Sequence, residues 1–308
     1  MYYFIVNPEA GRGRGERIWN RLERRLQHTR LEYEMVMTEK TGDGARIAAE
    51  LTGQGTEPKT LIAVGGDGTL NEIINGMSFR GQITLGYIPA GTGSNLARSL
   101  RLPRDPARCL RRIVDAKVIR QLDYGVLSYE CEEPVHRRFM ISSGIGLDAQ
   151  VCQNVLTTQE YRGRGPRLPA RLDYILRVLF HIFCAIPVKG YLVLDGTRRI
   201  EFNHIYFISA HIHPFEGAGF RLAPAADGSD GFLEVCVVHN SVKSQLFPIM
   251  ADALFGRMGR HRGVRFYKCQ ELQIHMEAPV AVHTDGENCF SQKDIHLRCI
   301  GRKIRMVV

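Results

Sequence analysis

Short apolar runs and amphipathic stretches alternate through the first third of the chain. Residues 2–6 (YYFIV) are apolar and stop at Asn7-Pro8, which predicts a strand ending in a turn. Over 15–28, Ile18, Trp19, Leu22 and Leu26 recur at helical spacing among arginines. A strand-like alternation over 32–37 follows, then a helical stretch over 45–51 and a buried strand over 60–64. A helix opens at Leu70 and runs to Met77, another strand covers 83–89, and a further helix starts near Ser94. Strand and helix in this order predict a parallel sheet with helices on its faces. Beyond residue 122 the texture changes. Strand-like segments cover 118–130, 137–144, 189–196, 198–210, 231–238, 271–277 and 279–285, with Gly, Asp or Asn turns between them. Helices are expected at 170–184 and 243–254, and late strands at 295–300 and 303–308. The reading is an α/β N-terminal domain over 1–122 and a β-rich, sandwich-like domain over 123–292.

A chain of 308 residues is long enough for about two domains. Its 44% hydrophobic and 24% charged residues exclude a disordered, collagenous or coiled-coil protein. The longest uncharged apolar run, Val178 to Val188, is well short of the ~20 residues that span a bilayer. The eight cysteines form no CxxC pair, which fits reduced, packed thiols in a cytoplasmic protein. The net charge of +9 is concentrated in two segments. Arg162, Arg164, Arg167, Arg171 and Arg177 lie in the first, and Arg257, Arg260, Arg262, Arg265 and Lys268 in the second. Both are either solvated faces or surfaces that approach a polyanion. No nucleic-acid reader motif accompanies them, so nucleic acid is not the expected partner.

The strongest chemical signal is VGGDGTLNE, Val64 to Glu72. Glycines between a buried strand and a helix bring backbone N–H groups close to a phosphate, and the helix start favours its charge. Asp67 inside such a loop repels phosphate unless a divalent cation lies between, or unless it binds a sugar hydroxyl. The bland alternative is a tight turn with an acidic helix cap. IPAGTGSNLAR, Ile88 to Arg98, is a second strand-to-helix loop, with Thr92, Ser94 and Asn95 beside Gly91 and Gly93. Parallel neighbouring strands place both loops at the carboxyl edge of the sheet, where open α/β folds bind ligands. Gly11-Arg12-Gly13-Arg14-Gly15 misses the dinucleotide spacing, and no GK dipeptide makes a Walker A loop. Asp285 and Glu287, two apart after an apolar strand, would point the same way if that strand continued, as a base or cation-binding pair. His211 and His213 also alternate, without an evident third metal ligand.

Asn7-Pro8 with Gly11, Gly65 to Glu72, and Pro89-Ala90-Gly91-Thr92-Gly93 together resemble the diacylglycerol kinase catalytic domain, and in particular soluble bacterial lipid kinases similar to YegS and DgkB. Gly144-Ile145-Gly146-Leu147-Asp148-Ala149, the run from Pro224 to Val235, and Asp285-Gly286-Glu287 extend the resemblance, in family order, across nearly the whole chain. It implies a Rossmann-like parallel sheet of NAD kinase and diacylglycerol kinase type, ATP in a cleft between the domains, and a segment from about residue 293 returning to the first domain. It implies ATP on Asn7, Thr38, Gly65, Gly66, Asp67, Gly68, Thr69, Leu70, Asn71 and Thr92. It also implies Mg²⁺ on Asp230 and the carbonyls of Asp227 and Phe232, and Glu287 assisted by Asp285 as proton acceptor, while Asp67 is a further metal candidate from its place in the phosphate loop. His211 departs from the family's usual Asn, and Arg167 or Arg171 stands for a lysine.

The expected activity is ATP-dependent phosphorylation of a lipid hydroxyl, diacylglycerol or a related lipid, by an enzyme peripheral to the anionic inner membrane face. A homodimer is left open, and no transmembrane segment is expected. The competing readings are a soluble-metabolite kinase of NAD kinase type, which GGDGT alone would support, and a catalytically silent lipid- or nucleotide-binding module. The sequence does not choose among diacylglycerol, phosphatidylglycerol, sphingoid bases and ceramide.

Overall fold

The computed structural model describes residues 1–53, 55–131, 133–161 and 170–308. Arg162, Arg164 and Arg167 of the first basic segment lie outside the described residues. The chain divides into two compact units, Met1–Asp123 with Arg302–Val308, and Tyr124–Gly301.

In unit 1 the elements are β1 (Tyr2–Val6), α1 (Ala10–Leu26), β2 (Tyr33–Met37), α2 (Asp43–Gly53), β3 (Lys59–Gly65), α3 (Asp67–Gly76), β4 (Ile83–Pro89), α4 (Asn95–Ser99) and α5 (Pro106–Asp115). The four strands form a parallel sheet in the order β4-β3-β1-β2. Arg305 and Met306 add in parallel beside Thr84 and Leu85 of β4. Phe4, Ile5 and Val6 of β1 and Leu61 to Val64 of β3 are buried without alternation, as strands covered on both faces must be. The expected stripe of α1, Ile18, Trp19, Leu22 and Leu26, packs onto Phe4, Ile62 and Val64, with the Trp19 and Phe4 rings 5.1 Å apart. Helix α5 is not among the expected helices, although Asp105-Pro106 starts it in the usual way. The Asp105 carboxylate accepts from the Arg108 N–H, and Pro106 takes the first helical position.

Unit 2 is entered along β5 (Ile119–Tyr129) and contains β6 (Val135–Phe139), β7 (Ser142–Gly146), α6 (Leu147–Tyr161), α7 (Ala170–Cys184), β8 (Val188–Leu194), β9 (Arg198–His211), β10 (Leu233–His239), α8 (Lys243–Ala253), β11 (Val264–Cys269), β12 (Glu271–Thr284) and β13 (Glu287–Val307), whose last residues belong to unit 1. Antiparallel pairing runs β11-β10-β9-β7-β12, with β8 joining β9 and β12. Alternation along β10 serves two cores. Val235 and Val237 face a core with Leu127, Phe139 and Ile208, while Cys236 and Val238 face one with Val178, Ile182 and Leu246. The α/β and β-rich architecture expected from the pattern is therefore present.

Some elements differ from expectation. Segment 137–144 is split into β6 and β7, because the N–H groups of Met140, Ile141 and Ser142 turn to the Asp285 carboxylate. Segments 271–277 and 279–285 are one strand, β12, whose register shifts between His275 and Val280, on either side of Pro279. The second basic segment contains a strand, β11, and helix α6 is an addition. Among the described residues no helix is long and apolar enough to cross a membrane. All eight cysteines are free, and six are buried.

Candidate active site

The carboxyl ends of β1, β2 and β3 bring the first group of predicted residues together. The sheet order reverses between β1 and β3, the position where an open α/β sheet leaves a crevice. Asn7, just past β1, donates from Nδ2 to Thr69 Oγ1 at 3.0 Å, which ties the first loop to α3. Thr38, just past β2, donates its N–H to the Val6 carbonyl at 2.9 Å and is buried. Gly66 caps α3 without a side-chain acceptor, so the first-turn N–H groups gain nothing from the cap. The glycines are required by close approach. A Cβ on Gly91 would lie 2.7 Å from Gly66 Cα, and one on Gly11 would lie 2.1 Å from the Ala90 carbonyl oxygen. At Gly66 itself a Cβ would meet only Gly91 Cα, at 3.5 Å, so its bareness serves space rather than packing. Thr92 is exposed on the second loop.

Asp67 is neither free in its loop nor the cap of its own helix. Its Oδ2 accepts the Asn95 N–H at 2.6 Å, at the start of α4, and its Oδ1 accepts from the Tyr87 hydroxyl at 3.1 Å. Burial first, and then the Asp67 carboxylate, push the Tyr87 phenol well above its ordinary range, so it remains a donor. Asp67 thus pins the GGDGT loop to the GTGSN loop. A carboxylate between two glycine loops is the donor type that an oxygen-seeking divalent cation takes. Glu72 is structural, since its two carboxylate oxygens accept the N–H groups of Gly42 and Gly44 at 2.9 and 3.0 Å. Leu70 and Asn71 are buried in α3.

In unit 2 the strand does not continue through the acid pair. Thr284 pairs with Glu287, and Asp285-Gly286 is a two-residue hairpin turn with φ of +48° and +90°. Asp285 and Glu287 therefore do not project from one extended strand face. Asp285 Oδ1 accepts the N–H groups of Ile141 and Ser142 at 2.8 and 3.0 Å, and Oδ2 that of Met140 at 2.8 Å. Glu287, half-buried, opens β13.

The turn from Asp227 to Phe232 is closed by its own residues. Asp230 Oδ1 accepts the Phe232 N–H at 3.0 Å, and the Asp227 carbonyl accepts the Asp230 N–H at 3.3 Å. The Lys268 ammonium lies 2.7 Å from Asp230 Oδ2 and 5.0 Å from the Phe232 ring centroid. A divalent ion at this turn would have to displace the Lys268 ammonium from Asp230.

A buried cluster escapes the motif reading. Asp148 Oδ2 lies 3.0 Å from His283 Nε2, and Glu216 Oε1 lies 3.3 Å from the same nitrogen. The Gly286 N–H points at His283 Nδ1 at 3.2 Å, which leaves Nε2 as the protonated position. The cluster is therefore linked to the turn that precedes Glu287. Burial and the Asp148 carboxylate raise Glu216 to about 8, so the two acids hold a proton between them. The signal for this cluster was Asp148 in the glycine motif and His283 two residues before Asp285; nothing local marked Glu216. His211 Nε2 bonds Ser209 Oγ at 2.8 Å, and burial lowers His211 and His213 to about 4 each, so they are packed neutral rings.

The diacylglycerol kinase catalytic domain family matches residues 1–127, and the YegS C-terminal NAD kinase β-sandwich-like domain matches residues 141–307. A Bacillus subtilis (strain 168) protein, YtlR, which carries a provisional name as a lipid kinase, is 27% identical over 93% of both chains. A diacylglycerol kinase of Staphylococcus saprophyticus is 28% identical over 92% of this chain and 87% of its own. A diacylglycerol kinase crystal structure from Bacillus anthracis str. Sterne shares the fold with a TM-score of 0.72 at 17% identity, over 99% of this chain and 96% of that one. Yeast NADH kinase complexed with NADH shares it at 0.52 and 11%, over 99% and 82%. Matched along nearly its whole length, the chain belongs to the diacylglycerol kinase catalytic-domain family, joined to a YegS-type C-terminal domain.

Proposed function

We propose that this protein transfers the γ-phosphate of ATP to the hydroxyl of a lipid, diacylglycerol or a close relative, at the cytoplasmic membrane face. The observation that carries this reading is the open first turn of α3 behind Gly66, pinned to a second glycine loop by Asp67. Helix N–H groups without a capping side chain receive phosphate oxygens. Asn7, Thr38 and the Gly65–Asn71 segment hold the nucleotide, with Thr92 at its edge. Asp67 would hold a Mg²⁺ ion, which would supply neutralisation of the charge on the transferred group.

Glu287 takes the proton of the acceptor hydroxyl as its oxygen bonds to the γ-phosphorus and the bond to ADP breaks. Asp285 positions Glu287 by gripping three backbone N–H groups, rather than touching substrate. The relatives named as diacylglycerol kinases support the lipid acceptor.

The test is transfer of radiolabelled phosphate from ATP into diacylglycerol, phosphatidylglycerol, sphingosine and ceramide in mixed micelles, with NAD as control acceptor. Labelled lipid with unlabelled NAD is the expected result. Labelled NAD alone would replace the lipid reading with the NAD kinase one, and no labelled product at all would leave a silent binding module.

A further inference from the structure

Helix α7 is apolar on two opposite faces, and only one of them is used. Tyr174, Val178 and Ile182 point into the core beside Phe207, Phe220 and Leu246. Leu172, Leu176, Leu179, Phe180 and Phe183 follow at intervals of four, three, one and three residues, which places them along one stripe on the other side. That stripe is exposed: Phe180 by 61%, Phe183 by 68%, and Ile186 just beyond the helix by 80%. A helix of a water-surrounded domain needs one apolar face, and a second contiguous one marks an interaction site.

We propose that this outer face of α7 lies on an anionic phospholipid bilayer, with its rings in the acyl region and α7 along the interface. The charges around it favour that occupant. The Lys243 ammonium donates to the Phe183 carbonyl at 2.9 Å, which sets a cation at the C-terminal end of the stripe. In sequence, Arg162, Arg164, Arg167 and Arg171 lead into the other end. Arg257, Arg260 and Arg262 follow α8 and are exposed, with no ion pair to an acid among the described residues. On α7 itself Arg177 is matched by Asp173 at 2.9 Å, so the stripe carries no charge of its own. Phe183 packs against Phe247 of α8, with the rings tilted by 59° and centroids 5.2 Å apart, and Val242 is a further exposed apolar side chain. An apolar stripe with basic flanks is how interfacial helices meet anionic lipid. A second copy of the chain would instead set these cations against their own kind.

The choice of a membrane rests on the lipid-kinase reading, but the binding test needs neither nucleotide nor turnover. The full chain is floated with vesicles of equal phosphatidylglycerol and phosphatidylcholine, and with phosphatidylcholine alone. Wild type is expected to float with the anionic vesicles, and Phe180→Ser/Phe183→Ser to partition at least about tenfold less at unchanged melting temperature and ATP affinity. Phe183→Trp is expected to shift its emission to the blue when those vesicles are added, while buried Trp19 stays constant. Equal flotation of wild type and the double variant, with no emission shift, overturns the proposal. A dimer that dissociates in the double variant by light scattering, with vesicle binding unchanged, overturns it in favour of a second copy. Failure of wild type to phosphorylate any lipid would instead remove the functional reading and leave these binding results to be judged alone.

Discussion

Gly66 separates the need for space from the need for packing. A side chain there meets little protein, and its φ of −90° suits any residue. Gly66→Val should therefore melt like wild type yet bind ATP at least about tenfold more weakly, because bulk replaces the phosphate's approach to the backbone. Titration calorimetry beside a thermal melt decides this, and unchanged affinity in the folded variant would remove the nucleotide from this loop. The two hairpin acids should differ in kind. Glu287→Gln should lower turnover by roughly 10²–10⁴-fold at unchanged melting temperature, as expected for a lost base. Asp285→Asn should lower turnover and also cost ~1–3 kcal/mol of stability, since the grip on three N–H groups is weakened. If Asp285→Asn melts like wild type, the positioning role fails. Glu216 carries a pH signature. Its pKa is raised from 4.5 to about 8 in the folded protein, so the folded state holds a proton that the unfolded chain releases. Its stabilising contribution is complete below 4.5 and is lost as pH rises through about 8. A melting temperature that falls across that window in wild type, and falls less in Glu216→Gln, is the expected result.

At the scale of elements, the Asp227–Phe232 turn and strand β11 form one device. The turn sets Asp230 where the Lys268 ammonium reaches it, and we propose that this ammonium takes the place of the metal that the family resemblance implied. Without nucleotide, the melting temperature should be indifferent to Mg²⁺ and to a chelator. Lys268→Met should make it rise with Mg²⁺, because the freed carboxylate then needs a cation. A wild-type melt that rises with Mg²⁺ would reverse this assignment. The same scale explains why β6 and β7 are separate strands. Three consecutive N–H groups spent on Asp285 cannot also serve a ladder, so a segment that reads as one strand becomes two.

At the scale of the whole chain, its last residues complete unit 1. The chain leaves unit 1 at Asp123 and returns at Arg302, where the Arg302 N–H donates to Asp123 Oδ1 at 2.7 Å. Ile304, Met306 and Val307 are then buried in unit 1. Each such side chain is worth ~1.5–3 kcal/mol. A chain ending at Gly301 should therefore lose several kcal/mol in a denaturant titration and weaken ATP binding, since the neighbouring strand β4 carries the second glycine loop. Full stability in the shortened chain would show that this strand is dispensable.

The sequence by itself determined most element types of unit 1 and the two glycine loops. The continuous apolar run of β3, the stripe of α1 and the glycines of GGDGT are local facts, and local periodicity and backbone freedom decide them. The two-residue turn at Asp285-Gly286 was not read from the pattern, although Asp-Gly is a dipeptide that such hairpins favour. What the acids do was decided only by tertiary structure. Asp67 meets an N–H 28 residues away, and Asp285 meets one 145 residues away. Lys268 reaches Asp230 across the β10–β11 pairing, and Glu216 meets Asp148 and His283 only once β9 and β12 flank β7. Periodicity carries no information about partners at that separation, because hydrogen bonds depend on distance in space. The same limit applies to α7: its sequence says that two faces are apolar, and only packing decided which one stays outside.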